Sequence, residues 1–247
     1  MNGRQAFPAE DLIQAGLNRQ HVFALADLPE TLRAKLGAQA RDRQLILLGH
    51  GGRALWEAMQ AAAPTRSNDP IDDYTRVAVD RCLQRILPPQ AYRFLYPGNI
   101  SIGLQQLGEL AGWHHPSPFA IGIDAEWGSW FAYRALVLAD SDFPLTPRVD
   151  RSNPCVICEH QACISACPGK AAGRPFQLAA CIDQRLQTAS ACAQDCLARQ
   201  ACPVGRQHAY DAAQMAHSYS RSLAMIREWR QATGRTPDSA SQPRTTR

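Results

Sequence analysis

Of the nine cysteines in this 247-residue chain, eight fall between Cys155 and Cys202, and the first 154 positions hold only Cys82. The first group reads Cys155-x2-Cys158-x4-Cys163-x3-Cys167-Pro168. Cys181 then stands alone, and Cys192-x3-Cys196-x5-Cys202-Pro203 closes the run. Thiols at this density either cross-link in an oxidising compartment or hold metal in a reducing one. Residues 1–15 lack the basic start, apolar run and small-residue cleavage site of an export signal, and no stretch approaches the roughly 20 apolar residues that cross a bilayer. A soluble, cytoplasmic protein without a membrane partner is expected, and metal ligation follows from that compartment.

Thiolates are soft donors suited to iron and to zinc. A cysteine followed by proline ends the bacterial ferredoxin run, where that last cysteine ligates the other of two clusters. Two such endings favour two [4Fe–4S] clusters. The crossed arrangement assigns Cys155, Cys158, Cys163 and Cys202 to one cluster and Cys167, Cys181, Cys192 and Cys196 to the other. The first group has x4 where the ferredoxin run has x2, and the second half is long and irregular. A pair of structural zinc sites is the alternative, since Cys-x2-Cys knuckles serve zinc too. His160, between ligands, reads as a solvent-facing loop residue. Lys170 and Arg174 either offset cluster charge or solvate their loop, and Cys82, on an apolar helix face, reads as core.

Elements must hold these ligands. Residues 1–43 read as an N-terminal arm with a short helix from Asp27 to Leu36. A buried strand over Gln44–Leu48 feeds the Gly49-His50-Gly51-Gly52 turn and a helix over 53–63. Asp69 and Pro70 open a helix whose apolar positions Ile71, Tyr74, Ala78, Cys82 and Ile86 recur until Pro88. A strand over Tyr92–Tyr96, a helix over Ile102–Ala111 closed by Gly112, and a hairpin pairing Phe119–Ile123 with Trp130–Ala139 follow. Such an order suits an α+β sandwich with a mainly antiparallel sheet. Domains are expected at 44–147 and 148–206, with a C-terminal helix over 207–232 and a disordered tail over 233–247.

The cysteine run, with its isolated Cys181-Ile182 pair, resembles the iron–sulfur part of epoxyqueuosine reductase. Asp124-Ala125-Glu126-Trp127-Gly128-Ser129-Trp130-Phe131-Ala132-Tyr133-Arg134 is similar to the Gly-x-Trp-Phe segment shared by that enzyme and the cobalamin-processing proteins of the CblC type, and Asp69–Asp72 and Leu107–Gly112 match the CblC type in order and spacing. The resemblance covers roughly Gln44 to Pro203. It implies a nitroreductase-like sandwich domain that binds a corrinoid, followed by a small ferredoxin-like two-cluster domain. Trp127, Gly128, Ser129, Trp130, Phe131 and Arg134 become candidate cofactor-binding residues, with Arg134 matching an arginine of the CblC pocket. The chain departs from these families at Tyr96–Ile100, where the reductase's acidic residue has no counterpart, at Glu109 in place of a CblC histidine, and after Pro203, where the reductase's helical repeats have none.

Other features carry less. The Gly49–Gly52 turn lacks the Lys-Ser/Thr ending of a phosphate-binding loop, and His114-His115 beside Pro116 reads as a surface pair rather than a cobalt ligand. Twenty-six Lys and Arg against 22 Asp and Glu give +4, with no basic run, so nucleic acid is not an expected partner. The function read from the residues and the resemblance is an oxidoreductase in which two clusters, fed by an external electron donor, pass electrons to a corrinoid (cobalamin), with flavin a second choice. A corrinoid or small molecule is the expected substrate. Alternatives are a ferredoxin-like electron carrier or assembly partner, and a zinc-stabilised binding module; no catalytic residue, oligomeric state or donor identity is assigned.

Overall fold

The computed structural model describes residues 6–62, 67–98 and 103–233. The expected tail beyond Thr233, Ala63 at the end of the second expected helix, and Asn99–Ile102 lie outside them. Elements run α1 (Ala9–Gln14), β1 (Arg19–Ala24), α2 (Glu30–Arg33), β2 (Gln44–Gly51), α3 (Ala54–Ala61), α4 (Pro70–Leu83), β3 (Tyr92–Tyr96), α5 (Leu104–Ala111), β4 (Phe131–Ala139), α6 (Ala162–Ser165), α7 (Leu178–Leu186), α8 (Leu197–Ala201) and α9 (Ala212–Thr233). These form two compact units: residues up to His114 with Trp130–Arg151, and His115–Ser129 with the chain from Ser152.

In the first unit, the four strands make one antiparallel sheet in the order β1-β2-β4-β3. β2 is buried along its whole length because helices cover both faces of the sheet. Ile46 and Leu48 meet Leu12 of α1, Leu55 of α3 and Val79 and Leu83 of α4 in one cluster. Leu45 and Leu47 meet Leu32 of α2 and Leu107 and Ala111 of α5 in the other. Period-two alternation thus divides one apolar run between two cores, each large side chain contributing about 1.5–3 kcal/mol by burial. The mixed α+β architecture with a small antiparallel sheet is the expected one.

Buried polar groups set the sheet's ends. Gln44 donates through Nε2 to the Phe143 carbonyl at 2.8 Å, while its Oε1 accepts from Ser141 Oγ at 2.7 Å and Phe143 N–H at 2.9 Å, holding the chain that leaves β4. α5 ends at Gly112, whose φ of +77° is left-handed and whose missing Cβ would collide with the Val149 carbonyl.

Three expectations need correction. Residues 1–43 are more than an arm, because β1 is an edge strand of the sheet and Leu12, Leu17 and Val22 are core. Phe119–Ile123 is not a hairpin strand. The segment 115–129 belongs to the second unit and makes only isolated bridges, His115 with Ile123 and Asp124 with Gly128. Pro116 and Pro118 remove backbone donors, and Ala120 sits at φ +61°, which no strand accommodates. The C-terminal helix starts at Ala212 rather than 207.

The second unit contains, among the described residues, helices and loops without a named strand. Phe119, Ile123, Cys163, Ala172, Ala198 and Cys202 form its apolar centre. Among the described residues no helix is long and apolar enough to cross a membrane.

His21 on β1 is 3% exposed, packs at 4.2 Å against the Phe23 ring, and has no hydrogen-bond partner at Nδ1 among the described residues. Burial pulls its pKa down from 6.5 to about 4. The folded ring stays neutral to about pH 4 whereas the unfolded chain takes up its proton near 6.5, so acidification between these values favours unfolding. Urea denaturation should show about 2 kcal/mol less stability at pH 5 than at pH 7 from this ring alone, and His21→Phe should remove that increment. An unchanged pH dependence in the variant would contradict the assignment.

Candidate metal centres

The eight clustered cysteines line two cavities of the second unit, four on each. Cys155, Cys158, Cys163 and Cys202 stand on the wall of one, of about 340 Å³. Cys167, Cys181, Cys192 and Cys196 stand on the wall of the other, of about 320 Å³. None of the eight is in a disulfide. Cys82 is apart from them, buried in the first unit's core on α4.

Two short helices distribute the thiols. α6 carries Cys163 toward the first cavity, and its exit leads within two residues to Cys167 at the second. α8 is flanked by Cys196 at the second cavity and Cys202 at the first. At about 1.5 Å per residue, α8 separates its flanking cysteines by roughly 8–10 Å, too far for a shared mononuclear site. α6 and α8 pack against each other, so the two groups of four interlock. Each loop is tied locally: Cys155 N–H donates to Asn153 Oδ1 at 2.9 Å, and Cys192 N–H to Ser190 Oγ at 3.1 Å.

Within each group the thiols raise one another's pKa, after burial, the larger effect. Burial and then Cys202, Cys155 and Cys158 push Cys163 up to about 11. Burial and then Cys196 push Cys181 up to about 11 against the opposing charge of Arg185. Cys155, Cys192 and Cys202 shift upward for the same first reason. Apart from thiols, the side-chain charges acting on these cysteines are cationic: Arg174 at Cys155, Arg206 at Cys202, and Arg185 at Cys181 and Cys192. Binding a cation therefore expels protons and gathers thiolates among arginines. Arg185 is buried and held, Nε donating to the Cys192 carbonyl at 3.2 Å, Nη1 to Ser222 Oγ at 2.9 Å and Nη2 to the Tyr219 carbonyl at 2.8 Å. Tyr219 stands on the wall of the same cavity, its hydroxyl pushed up in pKa first by burial and then by the neighbouring Cys196 thiol. His160 is exposed, as expected of a loop residue, and so is Lys170.

Among the described residues no three or more His, Cys, Asp or Glu side chains converge as a single metal ion requires.

The six residues expected at a cofactor pocket are divided between the units. Trp127, Gly128 and Ser129 belong to the second, where the Trp127 ring lies 4.3 Å from that of His208 and Gly128 fits against the Val204 carbonyl. Trp130, Phe131 and Arg134 belong to the first. Gly128, Ser129, Trp130 and Phe131 are buried, and only Trp127 and Arg134 keep partial exposure. Arg134 Nε donates to His50 Nδ1 at 3.0 Å, and residues 49–51, expected in a turn, are the end of strand β2. His114 Nδ1 lies 3.2 Å from the Tyr133 hydroxyl, and His115 falls in the second unit.

Arg19, which pattern reading passed over, is buried with its guanidinium 4.7 Å from the Trp113 ring and 4.6 Å from that of Phe131. Its position two residues before His21 on one strand face was the available signal. Arg185 and Arg199 were missed likewise; both sit on helices beside cysteines of the clustered run.

No protein-family model matches the sequence, and no curated protein sequence matches it. Solved structures do match in fold. Epoxyqueuosine reductase from Streptococcus thermophilus superposes with a TM-score of 0.50 at 12% identity, over 81% of this chain and 65% of that one. An epoxyqueuosine reductase bound to a tRNA-Tyr stem loop gives 0.51 at 11% identity, over 85% and 67%. The C. elegans B12-trafficking protein CblC gives 0.46 at 12% identity, over 85% and 89%. The resemblance to epoxyqueuosine reductase is thus present as a shared fold, and this chain spans 65% of the length of the S. thermophilus enzyme.

Arg199, 5% exposed, donates through Nε to Ser129 Oγ at 3.2 Å and through Nη2 to the Ser129 carbonyl, and stacks 4.7 Å from the Tyr210 ring. Arg199→Met should strand the carbonyl and cost about 2 kcal/mol in thermal unfolding. Arg199→Lys should recover only part, because an ammonium cannot reproduce the planar fork. Full stability in the methionine variant would show that the anchor carries no weight.

Proposed function

We propose that this chain is an iron–sulfur redox protein whose second unit holds two [4Fe–4S] clusters, the first on Cys155, Cys158, Cys163 and Cys202, the second on Cys167, Cys181, Cys192 and Cys196. The observation that carries the reading is the division of eight thiols into two fours, each around its own cavity of 320–340 Å³. Four soft donors set apart around a space suit a polynuclear cluster, which takes one thiolate at each iron corner. Such a cluster, when bound, stores and passes single electrons. The chain's own residues supply the rest: the charges of Arg174 and Arg185 oppose those of the thiolates, and Tyr219 on α9 stands on the wall of the second cavity.

The acceptor in this reading is a corrinoid, with a flavin as the second choice. Support comes from the sequence resemblance and from the fold shared with epoxyqueuosine reductase. The candidate residues present a limited surface to a large macrocycle, since four of the six are buried by the protein itself. Of the six, Trp127 in the second unit and Arg134 in the first keep partial exposure. Activity on a queuosine precursor is not part of the proposal.

Anaerobic reconstitution followed by analysis of iron, sulfide, zinc, cobalt and flavin tests the reading. About eight irons and eight sulfides per chain are expected; zinc without sulfide would overturn it. The ligand sets are tested by Cys158→Ser with Cys202→Ser, which should leave about four irons because both belong to the first cluster. If ligands followed chain order, that pair would damage both clusters and leave almost none. Cys82→Ala, in the core of the other unit, should leave iron content unchanged. Added cobalamin should change its visible spectrum only when the clusters are reduced; a constant spectrum removes the corrinoid.

A further inference from the structure

The two cavities differ in what surrounds them. α9 lies along the second, contributing Ser218, Tyr219 and Ser222 to its wall. The first is bordered by the loop between Cys155 and Cys158, whose intervening residues Val156 and Ile157 are 75% and 80% exposed. Two adjacent branched aliphatic side chains in water forgo about 1.5–3 kcal/mol each relative to burial. They stand beside thiols that the proposed function assigns to a redox centre. Around the same cavity, Arg174 acts on Cys155 and Arg206 on Cys202; both arginines are exposed. Glu159 is the exposed carboxylate of that loop, and the exposed His160 follows it.

We infer that the Val156–Ile157 tip and the arginines beside it form the docking face for an acidic protein electron carrier that reduces the first cluster. The inference rests on the proposed clusters and adds their point of electron entry. The apolar tip supplies a small contact that excludes water close to the Cys155 and Cys158 sulfurs. The cations steer an anionic partner and weaken with salt, as suits a short-lived redox encounter of limited area. In the step itself, a reduced low-potential carrier loses one electron, the oxidised cluster gains it, and no bond or proton changes place. RNA is the poorer occupant, because single-stranded RNA seeks exposed rings to stack on and backbone phosphates seek several cations. The tip offers aliphatic side chains instead.

The test uses the whole 247-residue chain, reconstituted, and reduced plant-type [2Fe–2S] ferredoxin as the acidic carrier, following cluster bleaching by stopped flow. Val156→Asp with Ile157→Asp should lower the second-order rate about tenfold or more, and the rate with unaltered protein should fall as salt rises. Reduction by dithionite, which needs no docking, should be the same for both. Val156→Ser with Ile157→Ser, which adds no charge, should give a smaller loss and guards against misfolding, and iron content confirms loading in each case. Equal ferredoxin rates in loaded proteins overturn the inference while leaving the clusters standing. Absence of iron and sulfide from the unaltered protein instead defeats the reading beneath it. A tRNA stem loop, or a second copy of the chain seen by sedimentation, whose binding the aspartates abolish while ferredoxin rates hold, also overturns it and reassigns the face.

Discussion

The reach of two short helices constrains the second unit most. α6 and α8 pack side by side, and the cysteines at or beside their ends serve opposite cavities. A helix of four or five residues is too short to be stable alone and takes its shape from what lies at its ends. Cys155 and Cys192 lie in loops where their N–H groups donate to Asn153 Oδ1 and Ser190 Oγ, whereas Cys181 lies in α7, its N–H donating to the Gln177 carbonyl. The unit's regular structure is α6 to α9, and its apolar centre is the cluster around Phe119 and Ile123.

Charge follows from the same arrangement. The raised thiol pKa values describe groups that resist ionisation, because burial and neighbouring sulfurs both oppose thiolate formation. Arg174, Arg185 and Arg206 oppose that trend. Arginine suits the task better than lysine because it keeps its proton and holds several bonds at once, and the chain has only two lysines, Lys35 and Lys170. Arg185 illustrates it: three hydrogen bonds fix its plane while its charge acts on Cys181 and Cys192.

Much of this was legible in the residues. The crossed arrangement taken from the two Cys-Pro endings groups the cysteines as the linings of the two cavities do, while their ligation is the proposal. β3 has the expected limits, and α4 and α5 fall within theirs, since Pro70 and Gly112 are position-specific helix signals. β1 was hidden because Arg19, Gln20 and His21 look like solvent-facing residues. Burial of the first and last depends on aromatic partners more than ninety positions away, Trp113 and Phe131. The false hairpin arose because Phe119, Ile121 and Ile123 alternate as a strand would, while their contacts are with Cys163 and Ala198 of the other unit. Local pattern does not encode which of two cores an apolar segment will join.

That segment has a consequence for how the molecule can be divided. Residues 115–129 leave the sheet-bearing unit, complete the helical one, and return the chain to lay down β4, which sits between β2 and β3. Neither body is a continuous stretch of polypeptide. A single cut near Arg151 yields no self-sufficient halves: the trailing fragment forfeits Phe119 and Ile123 from its apolar centre, and the leading one carries an orphaned excursion in its middle. Inheritance, expression and transplantation of this architecture therefore act on the whole chain, as with two rings cut from one looped cord.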